Sequence, residues 1–302
     1  MKTHVIALLI LTMLKTHVNA QSADASNIHA YVSIDPVGYI AEQVAGEHIK
    51  IHVLMPKNQN PHTFEPTPKQ LQMLSQAQLY FKIGLQFEEH ILKNFQQNFQ
   101  NLRIVDCSHG IVKRHMENHK GDHHECSEHN HSDANDKETH PPDPHIWLSP
   151  PNIVIMANNI RDAFIQIDPA NEQAYSNNCE NFIKRVTEVH SRLIEVLKPF
   201  KDSRFFVYHP AFGYFTDTYG IEQFAIETGG KSPTPKQLAH LIQQAKTENV
   251  KVIFVQPQFD KRNAQSIASA INGSVVVLNP LEKNLIDNLM HIADSIEKSF
   301  KQ

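Results

Sequence analysis

The 302-residue chain is poor in cysteine, with three, has a single tryptophan, and carries no long apolar run beyond residue 14. Each shortage excludes something. Three cysteines is an odd number, and the spacings of Cys107, Cys126 and Cys179 match no zinc ribbon and dictate no disulfide, although an exported protein could pair two of them. With no second apolar stretch, the processed chain has no candidate membrane span and is expected to be soluble. Basic residues do not dominate either. Lys+Arg number 28 against 32 Asp+Glu, giving a formal charge of -4 and no basic stripe, which argues against nucleic acid as a partner. The motif H-E-x-x-H is also missing: "HMENH", from His115, places its acid in the middle position.

What the chain does have begins at its N-terminus. "MKTHVIALLILTMLKTHVNA" joins a basic start, an apolar core over 5–14 and a small-residue end, the pattern of a secretory signal peptide over residues 1–20. Removing it takes away Lys2 and Lys15 and no acid, so the mature charge is -4 - 2 = -6. No cysteine follows the cleavage point, so a lipid anchor is not expected there. The remaining sequence, at 40% apolar residues overall, is long enough for two domains of ordinary size.

Short β-branched and aromatic runs alternate with helical patterns. Strands are expected at 28–34, 51–55, 79–83 and 103–106, with helices at 37–45, 68–77 and 87–99. The second half repeats the style, with strands at 204–208, 223–227, 252–256 and 275–278 and helices at 235–248, 261–271 and 282–301. This order implies an α/β protein of two lobes, each a mostly parallel sheet of about four strands flanked by helices. Between them, residues 168–200 keep helical spacing through Phe182, Val186, Val189, Leu193 and Val196 with no glycine, which predicts one long rigid connecting helix. The expected division is residues 21–167, the connector 168–200, and 201–302. Thr67-Pro68, Ser149-Pro150 and Thr234-Pro235 each put a capping hydroxyl before proline at a helix start, and Asp168-Pro169 puts a carboxylate there.

Between 113 and 143 the first lobe is interrupted by a histidine-rich loop. Its histidines are His115, His119, His123, His124, His129, His131 and His140; the span from His115 to His140 holds seven acids and two lysines, and Met116 is its only bulky apolar residue. Such a stretch buries too little surface to offset ordering, so it is expected to be a mobile loop that captures metal weakly, not the primary site. Three other histidines fall in loops beside core elements: His62 in "NPHTFEPTP", His145 in "DPHIWLSP" and His209 in "VYHPAFGYF". Each has a neighbouring proline (Pro61, Pro144, Pro210) that restrains the backbone. Imidazole nitrogen suits Zn(II), and three such ligands leave one tetrahedral position open. Spacing alone does not unite them.

The segments "PHTFEPTPKQL", "DPHIWLSPPN" and "FFVYHPAFGYFTDTYG" do resemble the three signature segments of the metal-binding receptors of ABC importers, in particular the ZnuA-like zinc-uptake proteins. The resemblance runs through the whole mature chain. It implies a two-lobed fold with a metal cleft between the lobes, a periplasmic location, reversible capture of a divalent metal ion as transported ligand, and delivery of Zn(II) to an ABC-type permease in the inner membrane, without catalysis. A monomer is expected. By position, His62, His145 and His209 take the family's three imidazole places. The family's fourth, carboxylate ligand falls where this chain reads "VVVLNPLEKN", so Asn279 is the candidate there, with Glu65, Glu227 or a loop histidine as alternatives. Three neutral ligands and Asn279 leave a net site charge of +2. Two rival functions use the same three histidines: an exported zinc hydrolase, which lacks an evident general base, and an exported metal-sequestering or storage protein, which would survive loss of the cleft.

Overall fold

The computed structural model describes residues 28–95, 101–116, 142–227 and 230–302. The signal-peptide reading over 1–20, Cys126 and the histidines from His119 to His140 lie outside the described residues. The first lobe runs β1 (His29–Val32), α1 (Asp35–Ala45), β2 (Lys50–Val53), α2 (Pro68–Leu74), β3 (Leu79–Lys82), α3 (Gln86–Phe95) and β4 (Arg103–Asp106). After α4 (Pro150–Ile167) and α5 (Glu172–Leu197), the second runs β5 (Arg204–Val207), α6 (Gly213–Tyr219), β6 (Glu222–Ala225), α7 (Pro235–Thr247), β7 (Val252–Val255), α8 (Arg262–Ala270), β8 (Ser274–Val277) and α9 (Leu285–Phe300). The sheets have orders β2-β1-β3-β4 and β6-β5-β7-β8, and every pairing is parallel. Parallel sheets gather functional loops outside the carboxyl ends of their strands, and the same connectivity in both lobes gives each one such rim.

The connector expected at 168–200 is helical from Pro169 to Phe200. α5 covers 26 residues, and single 3-10 turns at Pro169–Asn171 and Lys198–Phe200 flank it. At 1.5 Å per residue it spans roughly 39 Å. Asp168 does not cap it; its carboxylate accepts from Tyr175 Oη (2.6 Å) and Asn171 Nδ2 (2.8 Å) instead. Ser149 caps nothing either, since its hydroxyl pairs with Thr218 Oγ1 of the second lobe at 3.0 Å. Thr67 and Thr234, by contrast, both form full capping boxes, with Gln70 and Gln237.

One continuous apolar core crosses both lobes. It joins Val32, Phe81 and Phe164 of the first to Phe205, Val207 and Phe254 of the second through Phe182, Val186 and Leu193 of α5. α5 packs against α1, α4, α6 and α9. A smaller cluster covers the other face of the second sheet, where Phe206, Ile253 and Val255 meet Leu241 and Ile267 of α7 and α8. Alternation along β5 therefore feeds two cores, as the two-residue period of a strand requires.

Candidate metal centre

His62 lies in the loop that leaves β2, His145 follows the loop that leaves β4, and His209 lies two residues after β5. All three loops sit at carboxyl ends of strands, and the facing lobes bring them together. One ligand atom from each of the three comes within 4.8 Å of the other two, the group of this kind among the described His, Cys, Asp and Glu residues. His62 Nε2 is 3.2 Å from His209 Nε2. Two ligands on a tetrahedral zinc with nitrogen bonds of ordinary length are about 3.3 Å apart. The ring centroids lie 4.7 Å (His62–His209), 5.2 Å (His145–His209) and 6.4 Å (His62–His145) apart.

Local chemistry holds each ring. His62 N donates to Asn60 Oδ1 at 2.9 Å, an Asx turn that fixes the loop tip. His145 donates twice to one oxygen of the buried Asp143: its backbone N to Oδ1 at 2.9 Å and its Nδ1 to the same atom at 2.7 Å. His209 Nδ1 pairs with Glu227 Oε1 at 2.6 Å, and both residues are buried. The backbone of His209 is gripped from both sides by the fully buried Gln256, whose Oε1 accepts from His209 N (3.2 Å) and whose Nε2 donates to His209 O (2.6 Å). Phe259 stacks on the His209 ring at 4.9 Å, and Trp147 tilts against His145 at 5.2 Å.

These contacts decide the tautomers. An imidazole that donates from Nδ1 to a carboxylate presents a lone pair at Nε2. His145 and His209 both do so. Burial pushes His209 below the ordinary histidine range, against the pull of Glu227. His62 is exposed as a residue, yet its ring is held to about 3, first by loss of solvent around it and then by His209 and His145. Burial alone would raise Asp143, but His145, through charge and two hydrogen bonds, and Arg114 together hold it below the usual carboxylate range. The cluster is thus three imidazoles backed by two carboxylates, a donor set suited to a divalent cation.

Two of the sequence expectations change. Asn279 has other work: its Oδ1 accepts from Gln258 Nε2 (3.2 Å) and Leu281 N (3.1 Å), and its Nδ2 donates to Glu282 Oε2 (3.3 Å), so the lone pairs a metal would need are already engaged. Glu227 is a support for His209 and not a fourth ligand. Glu65 is exposed and lines a cavity beside His62, with Phe87 and His90. Of the tract histidines only His115 is described; it pairs with Pro142 in an antiparallel bridge, so 113–116 and 142–143 have defined places although the expected mobile loop began at 113. Cys107 and Cys179 are free, buried thiols. Asp143 and Gln256 were not singled out from sequence; the "DPH" segment held a signal for Asp143, and nothing in the local sequence marks Gln256.

Comparison with known proteins gives the family of the chain. The family described as "Zinc-uptake complex component A periplasmic" matches residues 31–299. The chain belongs to this family. Among curated ZnuA proteins, the high-affinity zinc uptake system protein ZnuA of Bacillus subtilis is 28% identical over 266 residues, 86% of this chain and 81% of the relative. A crystal structure of ZnuA superposes with a TM-score of 0.81 at 32% identity, over 90% of this chain and 98% of that one. An internal-deletion mutant of ZnuA with zinc bound superposes at 0.79 and 31% identity, over 90% and 97%. As a ZnuA-family member the protein is a metal-binding receptor of an ABC importer and not an enzyme. No described helix is long and apolar enough to cross a membrane.

Proposed function

We propose that this receptor takes up Zn(II) between its lobes on His62, His145 and His209 and delivers it to an ABC-type permease of the inner membrane. It works in the periplasm after loss of residues 1–20, with lobes over 21–167 and 201–302 joined through 168–200. The observation that carries the reading is the convergence of three imidazoles from separate loops, two of them fixed by carboxylates so that Nε2 is the free donor. Three nitrogens favour zinc over manganese, which prefers oxygen ligands. The fourth position is left to water, since Asn279 is engaged elsewhere. The +2 of the ion is partly offset by Asp143 and Glu227 directly behind the ligands, Asp143 being shared with Arg114, so the surroundings carry less positive charge than the ligands alone suggest. The histidine tract beyond His115 raises local zinc at low affinity and is an accessory to the cleft.

The test is a calorimetric zinc titration against a competing chelator, on mature protein lacking residues 117–140. One tight site, lost in His145→Ala or His209→Ala and far weaker for Mn(II), is the expected result. Loss of tight binding with the tract alone would overturn the division between cleft and accessory loop.

A further inference from the structure

Arg114 closes the stem from which the histidine tract departs. Its carbonyl accepts from Asp143 N at 2.8 Å, and the next pair, His115 and Pro142, forms the antiparallel bridge. Its guanidinium reaches two carboxylates of different lobes: Nη1 lies 3.2 Å from Asp143 Oδ2, and Nε lies 3.1 Å from Asp217 Oδ2 on α6. Tyr214, also on α6, joins both stem strands, accepting from Arg114 N at 3.2 Å and donating to Asp143 O at 3.1 Å. Asp143 is therefore shared. Oδ1 belongs to His145 and Oδ2 to Arg114, and the carboxylate has no exposed surface. A buried carboxylate holds its orientation only while both oxygens are satisfied.

The opposite wall has been left open for this guanidinium. Gly213 is the first residue of α6, and a Cβ there would stand 1.0 Å from Arg114 Nη1 and 2.2 Å from its Cζ. α6 starts four residues after His209, so the same contact ties the His209 segment to the Asp143–His145 pair.

We infer that Arg114 is a positioning residue for the metal centre: through Asp143 it fixes the orientation of His145, and through Asp217 and Gly213 it registers the His145 loop against the helix that follows His209. The inference rests on His145 being a zinc ligand. It assigns the arginine beside the tract a role in holding bound metal, distinct from any capture by the tract's histidines.

The experiment uses the full mature chain and reads the zinc dissociation rate by chelator chase, together with the His145 Nδ1 proton resonance of the zinc-loaded protein. Arg114→Met keeps the aliphatic stem and removes the charge. It is expected to speed zinc release 10- to 100-fold, the usual effect of losing a group that supports a metal ligand. The Nδ1 resonance should move upfield as Asp143, no longer anchored by Arg114, loses its alignment with the ring and the hydrogen bond weakens, and Arg114→Lys should restore part of both effects. Gly213→Ala leaves Arg114 in place but expels its guanidinium and suits a helix, so it should copy Arg114→Met and serves should that variant fail to fold. A change in melting temperature alone, with release rate and resonance unmoved in a folded Arg114→Met or Gly213→Ala protein, overturns the inference. His145→Ala is the control: if it binds zinc as tightly as the natural chain, the ligand assignment itself fails.

Discussion

Zinc takes the lone pair of one ring nitrogen, so the other nitrogen governs how firmly the ring is aimed. In this protein Asp143 and Glu227 occupy that second nitrogen for His145 and His209. Asp143→Asn and Glu227→Gln keep the shape but lose the charge, and each should weaken zinc binding 10- to 100-fold in a chelator competition. The pH response follows from the same residues. His62 is held to about 3 and so stays neutral in mild acid, and His209 is lowered in the same direction. Unfolded, they would take up protons near pH 6.5, so the unfolded chain binds more protons than the folded one as the pH falls from about 6.5 toward 3. Metal-free protein should therefore lose stability over that window, checked by urea melts at pH 7.5 and 5. An imidazole free of other influences titrates near 6.5, so the weak zinc binding proposed for the tract should vanish by pH 5.5 while the tight site persists in the same titration. The three histidines were legible because each stands in a distinctive loop motif. Their supports were not: Glu227, Gln256 and Arg114 meet the site across 18, 47 and 29 residues of sequence, and no local pattern encodes such pairings.

At the scale of elements, position was easier to read than extent. The eight strands among the described residues are each four residues long, and six are shorter than the runs that announced them, because runs such as those of β1, β5 and β7 continue into the buried loop residues Ser33, Tyr208 and Gln256. α6 was not legible at all. It has seven residues, five of them buried (Gly213, Tyr214, Phe215, Thr216, Tyr219), and two turns without a polar face look like strand. α4 showed only its start, though Ile153, Met156, Ala157, Ile160 and Phe164 keep helical spacing. Hydroxyls before proline were a reliable sign only where a glutamine stood three residues on. Thr67→Ala and Thr234→Ala should each cost about 1 kcal/mol in urea melts, while Ser149 has no cap to lose. A carboxylate-capped turn was missed in the same way. Glu88 is buried in α3 and accepts from the backbone N of Ile83, Gly84 and Leu85 and from Ser33 Oγ, with Gly84 at φ 97 shaping the turn. Burial pushes its carboxyl up to about 7 despite these donors. Glu88→Gln turns an amide toward three N–H groups and should destabilise the first lobe by about 1–3 kcal/mol.

At the scale of the molecule, the lobes are not independent bodies. The core continues through α5, and side chains cross between the halves: Trp147 Nε1 donates to Pro280 O at 2.8 Å, Tyr214 to Asp143 O, and Lys283 pairs with Glu42 at 2.7 Å. The last is solvent-exposed, so Lys283→Ala should change stability by less than about 1 kcal/mol. A shared core resists hinge opening, since separating the lobes would expose apolar surface. Zinc should therefore change loops more than domain angles, and small-angle scattering of metal-free and loaded protein should give nearly the same radius of gyration. A large compaction would show that the core parts more easily than its continuity implies.

The scarcity of tryptophan has one last consequence. Trp147 is the chain's single indole; it is fully buried, leans on His145 and reaches across to the second lobe. Its emission is thus an intrinsic optical gauge of this junction, free of background from any other indole. Unlabelled protein can report metal arrival and departure in a stopped-flow cuvette, and a red shift would signal water entering between the lobes.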